Sequence, residues 1–191
     1  MKQRFRDKKA DGQSLVHLIN LLGPDLIGVE VGVDRGWTHC CLIESCPNIE
    51  TLYGVDNYKP YKDYHVYNYD GVTVAHTYEQ RHVDAAKEAA FRNIASCVNA
   101  DKSKMLVMDS VDALSLFADN SIDFVFLDAG MTLELYEKDI VDWYAKVKPG
   151  GIVSGHDWDG PAVQIGVNRF REQNNITNTM STFDNTWIWI K

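Results

Sequence analysis

The chain has 191 residues and a mass of 21.7 kDa, which suits one domain (1–191) whose core needs no disulfide or metal staple. At 45% hydrophobic and 24% charged, with 5 Pro and 13 Gly, the composition excludes a fibrous or low-complexity chain. A net charge of −8 disfavours nucleic acid and anionic membrane surfaces, both of which select a basic face.

In chain order, the first segment (1–23) is predicted helical. Leu15, Leu18, Ile19 and Leu22 stand at helical spacing and Gly23-Pro24 stops the run. The basic start lacks the apolar stretch of a signal peptide, and no apolar run approaches the roughly 20 residues of a membrane span. Cys40, Cys41, Cys46 and Cys97 form no C-x-x-C pair, so no zinc site is expected and a reduced, cytoplasmic setting is. Leu26–Val33 reads as a strand, Trp37–Ser45 as a helix and Thr51–Val55 as a second strand. The tyrosine-rich stretch 57–78 has no clean period. It is long for a connection, which suggests a lid or acceptor-binding loop, and it suits an ordered surface Ω-loop or a homo-oligomer contact equally well.

Val83, Ala86, Ala90, Ile94 and Val98 then mark one face of a long helix. Lys104–Met108 and Ile122–Leu127 read as strands, with a short helix over Val111–Phe117 between them. Ile140, Trp143, Tyr144 and Val147 give the buried face of a helix ended by Pro149-Gly150-Gly151. Ile152–Ser154 is a strand and Gln164–Glu172 a helix. Ile176–Thr182 and Thr186–Ile190 are separated by only three residues, too few for a crossover, and must pair antiparallel. The pattern is that of an α/β, doubly wound, mostly parallel seven-stranded sheet with a C-terminal antiparallel hairpin.

Ligands of such sheets sit outside the carboxyl ends of the strands. Four of the five strand ends carry an acid: Asp56, Asp109, Asp128 and, after His156, Asp157. The first strand ends instead in a glycine turn, E-V-G-V-D-R-G at 30–36. Gly32 allows close backbone approach to a ligand and Gly36 opens the helix tightly. There is no G-x-G-x-x-G and no phosphate loop, which disfavours a nicotinamide-dependent oxidoreductase. Asp56, 24 residues beyond Gly32, is placed to accept hydrogen bonds from a ribose diol.

In order along the chain, E-V-G-V-D-R-G (30–36), Y-G-V-D (53–56), M-D-S (108–110), F-L-D (126–128), K-P-G-G (148–151) and the terminal hairpin resemble the motifs of class I S-adenosylmethionine-dependent methyltransferases. The resemblance runs from about Leu26 to Lys191. It implies a cofactor site made of Glu30, Gly32, Gly36, Trp37, Thr38, Asp56, Asn57, Asp109, Ser110 and Asp128. G-H-D-W at 155–158 is most similar to the small-molecule and sugar O-methyltransferase-like branch with a G-H-D-[WY] signature, which implies a small-molecule or saccharide acceptor. That branch carries an Asp-His pair after the fourth-strand acid, where this chain has Gly130-Met131; His156 is then the nearest candidate base. Asp128, His156 and Asp157 form the candidate catalytic set. Asp128 and Asp157, ending adjacent strands, could share a divalent cation such as Mg²⁺ or instead serve cofactor orientation and loop capping. A cofactor-binding protein without turnover is the alternative from outside enzymology. The histidines other than His156, His39 among them, read as structural or solvent-facing, and Trp158 as a wall of the acceptor pocket.

Overall fold

A computed structural model describes residues 13–67, 72–129 and 132–191. The basic start and the Gly130-Met131 departure lie outside the described residues. The elements are α1 (Gln13–Ile19), β1 (Leu26–Val31), α2 (Trp37–Ser45), β2 (Ile49–Val55), β3 (Tyr61–Tyr67), β4 (Val72–Tyr78), α3 (Gln80–Ala95), β5 (Ser103–Leu106), α4 (Ser110–Ala113), β6 (Ile122–Leu127), α5 (Leu133–Lys146), β7 (Val147–Gly155), α6 (Pro161–Gln173), β8 (Met180–Phe183) and β9 (Thr186–Ile190). Seven strands form one sheet in the order β5-β2-β1-β6-β7-β9-β8. The first five are parallel, and β9 runs antiparallel to both β7 and β8.

Alternation along the strands sorts side chains to two cores. On β6, Val125 and Leu127 join Trp187 and Trp189 of β9 on the face covered by α5 and α6. Phe124, Phe126 and Ile188 point the other way, against α1, α2 and α3. The indoles of Trp187 and Trp189 stack with centroids 5.1 Å apart, as their two-residue spacing on one strand requires. Each such fully buried aromatic contributes about 1.5–3 kcal/mol, so the sheet carries its own stabilisation and leaves the loops at its carboxyl edge free for ligands.

Several elements differ from the sequence expectation: β2 starts at Ile49, β5 spans Ser103–Leu106, β8 spans Met180–Phe183 and α6 starts at Pro161, and four further differences bear on the site or its surroundings. β1 ends at Val31 rather than Val33, because Gly32 turns the chain with φ +88°. β7 begins at Val147, ahead of Pro149-Gly150-Gly151, and these residues are absorbed as an irregularity in its pairing with β6. Phe183 joins the ladder opposite Thr186, so the last turn is the pair Asp184-Asn185. Both have positive φ (48° and 64°), the two-residue type I′ arrangement that matches strand twist. The tyrosine-rich segment, expected as an irregular loop, contains an antiparallel pair, β3 with β4, in register from Tyr61↔Tyr78 to Tyr67↔Val72. This ladder is a two-stranded sheet separate from the main one. Its β-forming Val, Thr and Tyr content was the only local signal.

The chain leaves β1 for β2 and β5 on one side and returns to β6 and β7 on the other. The adjacent β1 and β6 therefore bound a crevice at their carboxyl ends. Among the described residues, no helix is long and apolar enough to cross a membrane.

Candidate functional site

The crevice starts at the glycine turn. Gly32 N–H donates to the Val55 carbonyl (2.8 Å), and Asp128 N–H donates to the Val31 carbonyl (2.7 Å). A Cβ at position 32 would lie 2.3 Å from the Asp128 carbonyl oxygen. Glycine is thus demanded first by the approach of the β6 end, not only by a ligand. Gly36, at φ +76°, caps α2 where its backbone meets α3; a Cβ there would stand 3.3 Å from Ala90 Cα. It does not line the cleft, and its part is to set α2 beside α3.

Asp56 organises this turn. Its Oδ2 accepts from the backbone N–H groups of Val33 (2.9 Å) and Asp34 (3.0 Å), and its Oδ1 from Tyr58 N–H (2.8 Å). Tyr58 is buried and donates its hydroxyl to the Asp34 carbonyl, while burial pushes its phenol well above the ordinary range. The start of segment 57–78 is therefore pinned to the glycine turn, which narrows any lid to the β3–β4 hairpin. At its base Tyr61 and Tyr78 stack on each other, with ring centroids 4.5 Å apart.

A cleft of about 750 Å³ runs along the strand ends, within the size range of small-molecule sites. Glu30, Gly32, Trp37 and Thr38 line it from β1 and α2, and Asp56 and Asn57 from the end of β2. Asp109 and Ser110 line it beyond the end of β5, and Asp128 at the end of β6. Nine of the ten expected cofactor residues thus meet in one cleft. Asp109 is held across it: Lys59 Nζ reaches its Oδ2 (2.5 Å) and Asn57 Nδ2 its Oδ1 (2.7 Å), and the Lys59 ammonium, then Asn57, lower its carboxyl below the ordinary range.

The sequence reading missed the contribution of α5. Leu135, Lys138 and Asp139 line the same cleft. Ser110 Oγ donates to Asp139 Oδ1 (2.7 Å) and accepts from Trp143 Nε1 (2.8 Å), while burial raises the Asp139 carboxyl. An acid placed one residue before the apolar Ile140 was the available sign that Asp139 sits beside the core. His39 was also underread. It is fully buried, with Nδ1 2.8 Å from Glu30 Oε2 and Nε2 2.7 Å from Ser103 Oγ.

At the other end of the cleft the ends of β6 and β7 bring the candidate catalytic set together. His156 Nδ1 stands 2.9 Å from Asp157 Oδ1 and 3.6 Å from Asp128 Oδ1. One ligand atom from each of the three lies within 4.8 Å of the others. His156 and Asp157 are not among the residues lining the main cleft; they adjoin it through Asp128. Trp158, expected as a wall of the acceptor pocket, is half-buried against the core and donates its backbone N–H to the Asn185 carbonyl.

A family model described as a methyltransferase domain matches residues 29–158. No curated protein matches the chain by sequence. Among solved structures, the O-methyltransferase NovP is similar at TM-score 0.64 and 18% identity, covering 93% of this chain and 79% of its own. The O-methyltransferase TomG from Streptomyces achromogenes, solved with S-adenosylmethionine, is similar at 0.60 and 17%, covering 99% and 85%. A precorrin-8w decarboxylase from Methanobacterium thermoautotrophicum is similar at 0.55 and 16%, covering 93% and 88%. At these identities the likeness is one of fold.

Proposed function

The chain belongs to the methyltransferase domain family, and from that premise we propose that it transfers a methyl group from S-adenosylmethionine to an oxygen of a small molecule or saccharide. The observation that carries this is the single cleft at the β1–β6 switch point, which gathers Glu30, Asp56, Asp109 and Asp128 around one volume. The cofactor, when bound, supplies a methyl group already activated by its sulfonium.

The residues divide the remaining work by position. Asp56 offers a carboxylate to the ribose diol, with its orientation set by the three backbone donors it already holds. Asn57, Asp109 and Ser110 stand where the base lies, facing Leu135 and Asp139 of α5. Glu30 and Thr38, near the glycine turn, receive the amino-acid end. The base geometry of dinucleotide oxidoreductases is not supported, because the reversed β9 and the family match both point away from it.

Two carboxylates and an imidazole within 4.8 Å fit a hard divalent cation such as Mg²⁺ or Mn²⁺. Asp128, His156 and Asp157 would hold it, and when bound it lowers the pKa of an acceptor hydroxyl. The geometry favours this role for His156 over that of a free base. Its Nδ1 faces both carboxylates, and its Nε2 is buried. The four thiols are free and three are buried, which supports a reducing cytoplasmic setting.

The test is transfer of labelled methyl from S-adenosylmethionine to a panel of hydroxylated aromatics and saccharides, with and without chelator. Turnover that chelation abolishes, that Mg²⁺ or Mn²⁺ restores, and that Asp157→Asn no longer recovers is the expected result. Chelator-resistant turnover removes the metal, and absence of cofactor binding removes the whole reading.

A further inference from the structure

We propose that His39 is a positioning residue that holds the Glu30 carboxylate, at the floor of the cleft, in its ionised and hydrogen-bond-accepting form through the buried chain Glu30–His39–Ser103. The proposal rests on the reading that Glu30 receives the ammonium of S-adenosylmethionine.

Glu30 lies at the end of β1 and borders the cleft, yet is only 1% exposed. A carboxylate so buried favours the neutral acid unless a donor or cation faces it. Burial does raise the Glu30 carboxyl, and His39 opposes that rise. A protonated Glu30 would present a donor to an ammonium group, which offers only donors itself. His39 bonds Oε2 alone, so the second oxygen is not taken up by that contact.

The surroundings are built for the ring. Gly54 on β2 leaves space that the ring shares with two neighbours: a Cβ there would lie 2.6 Å from Met105 Sδ, 3.0 Å from Val33 Cγ2 and 3.1 Å from His39 Cε1. Ser103, at the start of β5, closes the chain on the far nitrogen. Its hydroxyl both donates and accepts, so it serves a neutral imidazole and an imidazolium equally. The other titratable groups facing Glu30 are Cys40 and Cys41 on α2 and Asp56 and Tyr58 beyond β2. None of these is a cation, and Asp56 pushes Glu30 toward protonation. His39 is thus the group in this set that favours the carboxylate.

Two substitutions separate positioning from packing. In His39→Asn the amide nitrogen falls near the place of Nδ1 and keeps a donor for Glu30. In His39→Gln it falls near Nε2 and keeps the link to Ser103 only. Affinity for S-adenosylmethionine is measured by isothermal titration from pH 6 to pH 8, with melting temperature recorded alongside. His39→Gln is expected to weaken binding about 10-fold, the effect of one hydrogen bond to a charged group. The loss should deepen as the pH is lowered, the direction in which a buried carboxyl gains its proton. His39→Asn should recover most of the affinity, and Glu30→Gln should be weak and flat across the range. Wild-type affinity in His39→Gln, or equal losses in both His39 variants that merely track melting temperature, would overturn the proposal while leaving the cofactor reading intact. A wild-type protein that binds no S-adenosylmethionine overturns both.

Discussion

Asp56 is both a candidate ligand for ribose and the anchor of the turn that shapes the cleft. Asp56→Ala releases three backbone N–H groups at once. It is expected to lower stability by about 1–3 kcal/mol and cofactor affinity about 10-fold or more, measured by urea unfolding and calorimetry. Glu30 gives a second residue-scale expectation, with a definite sign. Burial raises its carboxyl from the ordinary 4.5, so the folded state binds that proton more tightly than the unfolded one. Stability therefore falls as pH rises from about that ordinary value through the raised one, and stays lower above it. Glu30→Gln removes this titration, so its melting temperature should change less than the wild type's as pH rises from about 4 to 7, whatever the loss of the His39 contact costs at all pH values. An unchanged pH slope in the variant would contradict the sign. The position of both acids was legible because each ends a strand. Their partners were not, because Val33 N–H reaches Asp56 only through the β1–β2 register, and His39 reaches Glu30 only once α2 packs on the sheet.

Among the elements, the β3–β4 hairpin rises from a base pinned by Tyr58 and by the stacked Tyr61–Tyr78 pair. If it closes over ligands, trypsin cleavage within 61–78 should slow when S-adenosylhomocysteine is present; equal rates would make it a surface element. The terminal hairpin allows a sharper expectation. Asn185 at φ 64° is tolerated because Asn adopts left-handed backbone readily. Both Asn185→Val and Asn185→Gly lose the bond that Asn185 Oδ1 accepts from Asp159 N–H (2.7 Å), and Val should cost about 1–2 kcal/mol more than Gly, read from the urea midpoint, because it alone is strained at positive φ. The terminal hairpin was legible because three intervening residues admit no crossover. The β3–β4 ladder was not, because the segment has no clean hydrophobic period and its two strands pair only with each other. The part played by α5 was hidden for a related reason: Leu135 and Asp139 reach the cleft only through packing of α5 under α4 and β6.

At the scale of the molecule, the order β5-β2-β1-β6-β7-β9-β8 places every acid read from a strand end on one edge. The charge there is lopsided. Glu30, Asp34, Asp56, Asp109, Asp128 and Asp139 line the cleft against Arg35, Lys59 and Lys138. Six acids against three bases suit a cationic ligand, and affinity for S-adenosylmethionine should weaken with added salt more than that for the uncharged-sulfur product. The architecture was readable because strand-end chemistry and strand order are coupled in doubly wound sheets. The acceptor side was less so, since it depends on how His156 and Asp157 turn after β7. The most direct measurement is a crystal structure of the protein with S-adenosylhomocysteine. Density along the cleft, with the ribose at Asp56 and the base between Met108 or Val111 and Leu135, is the expected result. Density elsewhere on the molecule, or an empty cleft at saturating ligand, would contradict it.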